Sequence, residues 1–291
     1  MQEWTGARGK RVVITGATNG IGLAASEELA RRGAQLAIVA RDQARARTAV
    51  DAIKRSGGPG TAVDVLTADM SSQQSVRAVA AEILQRYPRV DVLVNNAGAI
   101  YEQRSESVDG IELTWATNHL GPLLLTALLL DRIIASTPAR IVTTTSDAHK
   151  GRLIPFNDLN AERSYGMRGY VRYGETKLAN ILFTVELARR LRGTGVTANC
   201  FHPGTVATGF NRNNGALMSA AMAVIRPFSR SPKKGAATLV WLVDSAEPGA
   251  VSGGYFVDCR EATPSAPASS TDAARRLWQV SEEQTRQSLP A

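Results

Sequence analysis

Short runs of β-branched and aliphatic residues alternate along the chain with longer segments whose apolar positions recur every three to four residues. The runs RVVIT (11–15), AQLAIVA (34–40), AVDVLTAD (62–69), VDVLVNN (90–96), RIVTTTS (140–146), VTANCF (196–201) and GGYFVD (253–258) predict seven strands. Segments 20–32, 42–55, 73–87, 108–135, 170–193 and 232–245 predict the helices between most of them. Runs this rich in Val and Ile suit strands buried on both faces, which is what helical crossovers produce. The expectation is an α/β fold: a single doubly wound (Rossmann-type) domain over 1–291, with a central parallel sheet of about seven strands and helices on both faces.

Two stretches break the alternation. Residues 205–231 are rich in Gly, Asn, Ala and Met and are expected to form a substrate loop or lid after a cofactor-binding and catalytic core at 9–204. A C-terminal extension (259–291) contains the Pro- and Ser-rich connector EATPSAPASSTDA, then an amphipathic helix with Leu277, Trp278 and Val280 available to bury.

Composition narrows the class. At 291 residues, 44% of them hydrophobic and 21% charged, the chain can bury a sizeable core. The run GPLLLTALLLDRII is interrupted by polar residues and is shorter than the roughly 20 needed to span a bilayer, so it reads as a core helix. With MQEWTGARGKRVVITG entering a strand almost at once, a cytoplasmic protein without an integral membrane anchor is expected. The net charge of +8 comes from arginines scattered along helices, with no basic run interleaved with aromatics. This points to solvated faces rather than nucleic acid. Cys200 and Cys259 have neither metal nor redox spacing, and Cys200 reads as a buried free thiol.

The first strand runs into TGATNGIG, where Gly16, Gly20 and Gly22 open the first helix. Glycines here let backbone amides approach a pyrophosphate, and the helix N-terminus adds free N–H donors. Thr18, Asn19 and Ile21 lie within the same turn. At the end of the second strand, where an acidic residue would favour NAD and a basic one NADP, the chain reads Ala40-Arg41. NADP(H) is therefore expected in preference to NAD(H), the alternative being an ordinary exposed arginine. Asp42 is expected to cap the next helix. Asp69, followed by Met70, is either an acceptor for the adenine amino group or an N-cap. Asn96, Ala97 and Gly98 of NNAG either border the adenine ribose or form a simple turn.

The chemical candidates are Ser146, at the end of the fifth strand, and the pair Tyr173 and Lys177, one turn apart on the following helix. A free phenol has a pKa of about 10 and is a poor acid at neutral pH. A neighbouring ammonium favours the phenolate, so Lys177 is expected to acidify Tyr173, while Ser146 holds the reacting oxygen. No residue cluster suggests a metal.

TGATNGIG (15–22), NNAG (95–98), the Asn118 of TNHLG, Ser146 and YGETK (173–177), in this order, resemble the short-chain dehydrogenase/reductase family over about residues 9–288. The likeness implies that Asn118, Ser146, Tyr173 and Lys177 form a catalytic tetrad, with Asn118 holding a water in a proton relay through Lys177. It implies that Pro203, Gly204, Val206 and Thr208 of HPGTVAT close over the nicotinamide, and that Arg41 sits where members preferring NADP carry a basic residue. It also implies pairing into a homodimer or homotetramer through the helices on each side of the fifth strand. YGETKLANILFTVELARRLRGTGV and ARRLWQVSEE are similar to the retinol dehydrogenase branch. Thr143 and Thr145 depart from the usual Asn and Ser of the NVSS lead-in to the serine, and the hydrophobic anchor carried by membrane-bound members is not expected.

The activity implied is reversible hydride transfer between NADP(H) and a small apolar carbonyl/alcohol substrate. Leu153, Phe156, Phe210, Met218, Met222 and Phe228 are offered to that substrate. Two rivals are a ketoreductase of secondary-metabolite or steroid ketones and a non-catalytic NADP(H)-sensing protein. His202 reads as scaffolding before the Pro203-Gly204 turn, and His149 as a candidate pocket wall.

Overall fold

A computed structural model describes residues 4–206 and 229–288. Within them one sheet runs β3-β2-β1-β4-β5-β6-β7-β8. The strands are β1 (Arg11–Thr15), β2 (Gln35–Ala40), β3 (Val63–Thr67), β4 (Val92–Asn95), β5 (Ala139–Thr144), β6 (Val196–His202), β7 (Tyr255–Val257) and β8 (Arg260–Glu261). The first seven pair in parallel, and β8 returns antiparallel to β7. This eighth strand corrects the expected seven. Its two-residue turn, Asp258-Cys259, has both residues at positive φ (51° and 58°), as a tight hairpin requires. Neither residue is glycine, so the sequence carries no turn signal there.

The helices are α1 (Gly20–Arg31), α2 (Gln43–Gly57), α3 (Gln73–Arg86), α4 (Gly121–Ala135), α5 (Tyr170–Arg190), α6 (Pro232–Asp244) and α7 (Thr271–Thr285). One sheet face is covered through Val13, Leu93 and Ile141 by α3, α4 and α5. The other is covered through Ile14, Ile38 and Val94 by α1, α2 and α6. Both faces of each central strand are therefore apolar, as the unbroken Val/Ile runs require.

The stretch 108–135 is not one α-helix. A short turn, Leu113–Trp115, passes into a π-helical turn at Ala116–Leu120 before α4 begins, and Glu112 caps it by accepting from the Thr114 and Trp115 amides at 2.7 and 2.9 Å. The span Leu113–Ala135 has the length and composition of a membrane segment, but 83% of its apolar window is buried inside the protein. It is a core helix.

The extension ends in α7, which lies against α5. Trp278 stacks on Phe183 at 5.9 Å, the Arg190 guanidinium lies over its ring at 4.3 Å, and Ser281 meets buried His119 at 2.9 Å. Cys200 is a buried free thiol, as expected, and Cys259 is also free.

Candidate active site

The strand order reverses between β1 and β4, and a cleft of about 440 Å³ opens beyond the carboxyl ends of the strands there. Gly16, Thr18, Asn19, Gly20, Ile21, Gly22, Arg41, Asp69, Met70, Asn96, Ala97, Gly98, Ser146, Tyr173, Lys177, Pro203, Gly204 and Val206 all line it. Asn118 lies behind this wall, fully buried. Thr208, Phe210, Met218, Met222 and Phe228 lie outside the described residues.

The nucleotide end is built from backbone. Gly16 has φ +70°, and a Cβ there would stand 2.8 Å from the Ala97 Cα; a Cβ on Gly22 would stand 2.3 Å from the Gly16 carbonyl oxygen. A side chain at Gly16 would press on the Ala97 backbone, and one at Gly22 would push the first helix off the turn at Gly16, so the turn keeps its shape only while both stay glycine. Thr15, fully buried, fastens NNAG to this turn: its Oγ1 accepts from the Asn96 and Ala97 amides, both at 3.0 Å. Asn96 closes the loop by donating to the carbonyls of Thr15 and Gly16 at 3.0 and 3.1 Å. NNAG is therefore a cross-linked shelf beside the glycine turn.

At the far end of the cleft Arg41 is exposed and lies 3.8 Å from Asp69. Asp42 caps α2 by accepting from the Ala44 and Arg45 amides, as expected. Asp69 does not cap α3; Ser72 does, accepting from the Ser75 amide, while Asp69 holds Ser71. Asp69 thus keeps a carboxylate oxygen facing the cleft mouth beside Arg41. Arg45, one turn into α2, also lines the cleft. Sequence reading passed over it, although a second basic residue so close to Arg41 was visible.

The chemical end is built from side chains, with Lys177 and Asn118 buried and Ser146 and Tyr173 half-buried at the cleft wall. Ser146 stands two residues beyond β5, where it caps a short 3₁₀ turn and shares a hydrogen bond with Tyr173. The Lys177 ammonium lies 5.3 Å from the Tyr173 ring centre and donates to the Thr144 carbonyl at 3.3 Å. Asn118 clamps Ala99, accepting from its amide at 2.7 Å and donating to its carbonyl at 2.8 Å, and also donates to Thr176 Oγ1 at 3.1 Å. The π-helical turn puts this side chain off the regular helical path; such turns recur at functional sites.

The expected acidification of Tyr173 by Lys177 is not found in the protein alone. Burial is the dominant influence on Tyr173 and raises its pKa, against a smaller lowering from Ser146. Burial also pushes Lys177 down to about 8. Two groups taken out of water together each favour their neutral forms, and the sequence gives no measure of that cost. Tyr173 is held as the phenol.

Two residues that sequence reasoning missed couple the helix of Tyr173 to the turn of Asn118. Arg172 Nε donates to Glu112 at 2.7 Å with both side chains out of solvent, and its guanidinium lies 4.6 Å from the Trp115 ring centre. Sixty positions separate the pair, so no spacing rule marks it. Phe156 packs beside the core with Arg276 over its ring at 4.3 Å and is not among the cleft-lining residues. Leu153 is exposed. His202 accepts from the Asp147 amide at 3.2 Å, a scaffolding contact. His149 is fully buried and does not line the cleft. Among the described residues no cluster of His, Cys, Asp and Glu could hold a metal ion.

A glycine cradle opening at the switch point of a doubly wound sheet defines a dinucleotide-binding oxidoreductase class, and sequence relatives agree. A family model described as short chain dehydrogenase matches residues 10–218. Retinol dehydrogenase 14 of Mus musculus is 42% identical over 286 residues, covering 94% of this chain and 85% of the mouse protein. A protein of Streptomyces sp. (strain C5) named as a candidate daunorubicin C-13 ketoreductase, DnrU, is 39% identical over 277 residues, covering 95% of this chain and 92% of its own. The crystal structure of a short chain dehydrogenase from Burkholderia cenocepacia J2315 in complex with NADP superposes with a TM-score of 0.66 at 26% identity, covering 91% and 99% of the two chains. The chain belongs to the short-chain dehydrogenase family, in its retinol dehydrogenase-like branch. It is accordingly an NAD(P)(H)-dependent oxidoreductase that interconverts alcohols and carbonyls.

Proposed function

We propose that the protein is an NADP(H)-dependent reductase of apolar ketones or aldehydes, working through Ser146, Tyr173, Lys177 and Asn118. One observation carries the reading: the hydrogen-bonded hydroxyls of Ser146 and Tyr173, with Lys177 beside them, share a single cleft with the Gly16–Gly22 cradle.

The turn fits a pyrophosphate on its own terms: Gly16, Gly20 and Gly22 line the cleft at the N-terminus of the first helix, and a Cβ on Gly16 or Gly22 would strike Ala97 or the Gly16 carbonyl and distort it. Gly16, Gly20, Gly22 and the amides of the first helical turn would hold the pyrophosphate. Asn96 to Gly98 would border the adenine ribose, and Arg41 with Arg45 would meet a 2′-phosphate. The bound coenzyme supplies the hydride from its nicotinamide, and its oxidised ring adds positive charge.

Tyr173, kept protonated by burial, gives its proton to the substrate oxygen in reduction. Ser146 donates to the same oxygen as charge develops. Lys177, titrating near 8, is largely an ammonium at neutral pH and is placed to hold ribose hydroxyls and to stabilise Tyr173 once the phenol has given up its proton. Asn118 fixes the Ala99 backbone and the Thr176 hydroxyl around Lys177. For the substrate, the Tyr101 side of the cleft and the Tyr170 ring, 6.5 Å from that of Tyr173, favour an apolar or polycyclic body. The Streptomyces relative's name supports a ketoreductase as the second reading.

Following NADPH absorbance across retinal, long-chain aldehydes and cyclic ketones tests the proposal. It expects turnover on at least one class, with NADPH favoured over NADH. Tight NADPH binding with no turnover anywhere on the panel would instead favour the sensor reading.

A further inference from the structure

The turn Ser146-Asp147-Ala148-His149 follows β5 and carries the serine hydroxyl into the cleft. Three ties hold it, two through side chains from other strands and one through the turn's own His149. His202 on β6 accepts from the Asp147 amide at 3.2 Å. Tyr255 on β7 donates to Asp147 Oδ1 at 3.0 Å. The third tie passes through His149 and differs in kind. Its Nδ1 lies 2.7 Å from the Ser146 carbonyl oxygen, and its Nε2 lies 3.2 Å from the Ser265 amide in the C-terminal connector.

These partners fix the tautomer. A carbonyl only accepts, so Nδ1 carries the hydrogen; a backbone amide only donates, so Nε2 carries none. The imidazole is neutral, fully buried and edge-on to the Tyr255 ring at 5.4 Å between centres. Asp147 and Lys150 act on it with opposite signs, and burial lowers its pKa, which keeps the neutral form. A second proton on Nε2 would face the Ser265 N–H.

We infer that His149 is a positioning residue that ties the backbone of Ser146 to the C-terminal connector and so sets where the serine hydroxyl stands relative to Tyr173. The inference rests on the proposed role of Ser146. It assigns the extension a task in the reaction: the connector at Ser265 is the anchor against which the serine turn is braced. A displacement of about 1 Å at a reacting group can cost up to 10²-fold in rate, so a residue that touches neither coenzyme nor substrate is expected to matter for turnover and not for coenzyme binding.

The test uses the full chain, NADPH, and the carbonyl of the panel that is turned over fastest. His149→Phe removes both hydrogen bonds; His149→Asn keeps a donor near the Nδ1 position. The expected result is a fall in kcat of roughly 10- to 100-fold for His149→Phe with the KM for NADPH within about 2-fold of wild type, and recovery of most of that loss in His149→Asn. In a Ser146→Ala background His149→Phe is expected to add less than about 2-fold, because its effect runs through the hydroxyl already removed. Nitrogen-15 NMR of the imidazole, assigned by its disappearance in His149→Asn, is expected to show the Nδ1–H neutral tautomer at pH 7.

Equal losses in the Phe and Asn variants, full multiplicativity with Ser146→Ala, or an Nε2–H tautomer would each overturn the inference. A strong loss in Ser146→Ala with none in His149→Phe would remove this inference alone. An undiminished kcat in Ser146→Ala would remove it together with the reading beneath it.

Discussion

Gly16 and Gly22 serve the cleft by lacking side chains, and Arg41 and Asp69 beside them stand in solvent. Asn118, Lys177 and Arg172, at the other end, are buried side chains held by partners from distant parts of the chain. The nucleotide end is thus a local object, set by one strand-to-helix turn and a shelf fastened by Thr15. The chemical end is a tertiary object, in which β5, the π-helical turn, α5 and the C-terminal connector must all be in place. The contrast teaches that binding and turnover have different structural dependencies. The first should survive losses of long-range packing that the second does not, and substitutions at the two ends should separate accordingly.

The sharpest break is at the buried ion pair. Glu112→Ala leaves the buried Arg172 guanidinium with Glu175, at 3.1 Å, as its remaining carboxylate partner and leaves the Thr114 and Trp115 amides uncapped. A loss of about 3–5 kcal/mol in unfolding free energy is expected by urea denaturation. A smaller effect is expected from the titration of Lys177. Its pKa in the folded protein, about 8, lies below the ordinary lysine value of 10.5. Between these values the unfolded chain binds more protons, so stability rises with pH across that window. The coenzyme-free protein is expected to gain roughly 3 kcal/mol from this group between about pH 8 and 10.5, a slope that Lys177→Met should lack when the two are unfolded side by side across that range. Smallest is the nucleotide end. Arg41→Ala is expected to weaken NADPH binding by about 10- to 100-fold through a lost charge-assisted contact, while leaving NADH binding and the melting temperature unchanged. Equal weakening of both coenzymes would remove Arg41 from the selection between them.

The same contrast explains what the sequence made legible. The glycine turn, the strand alternation and the i,i+4 Tyr/Lys pair are local patterns, each contained in a dozen residues, and all are recovered in the structure. What escaped is non-local. Arg172 with Glu112 and His149 with Ser265 join positions far apart in the chain by contacts that no periodicity encodes. The hairpin into β8 turns on Asp258 and Cys259, where glycine would have been the sign. The π-helical turn hid inside an apolar run that reads as uninterrupted helix. The direction of the Tyr173 pKa in the coenzyme-free protein ran opposite to expectation because a neighbouring lysine is visible in sequence and the burial of both groups is not.

The central claim is that the Tyr173 hydroxyl moves the proton in this cleft. Tyr173→Phe removes that one oxygen and leaves the ring, so single-turnover NADPH oxidation paired with NADPH titration of the same preparation tests it most directly. The account predicts a rate lower by at least about 10²-fold with NADPH affinity within a factor of about three. A Phe variant that binds NADPH and reduces the carbonyl at near the wild-type rate would contradict it.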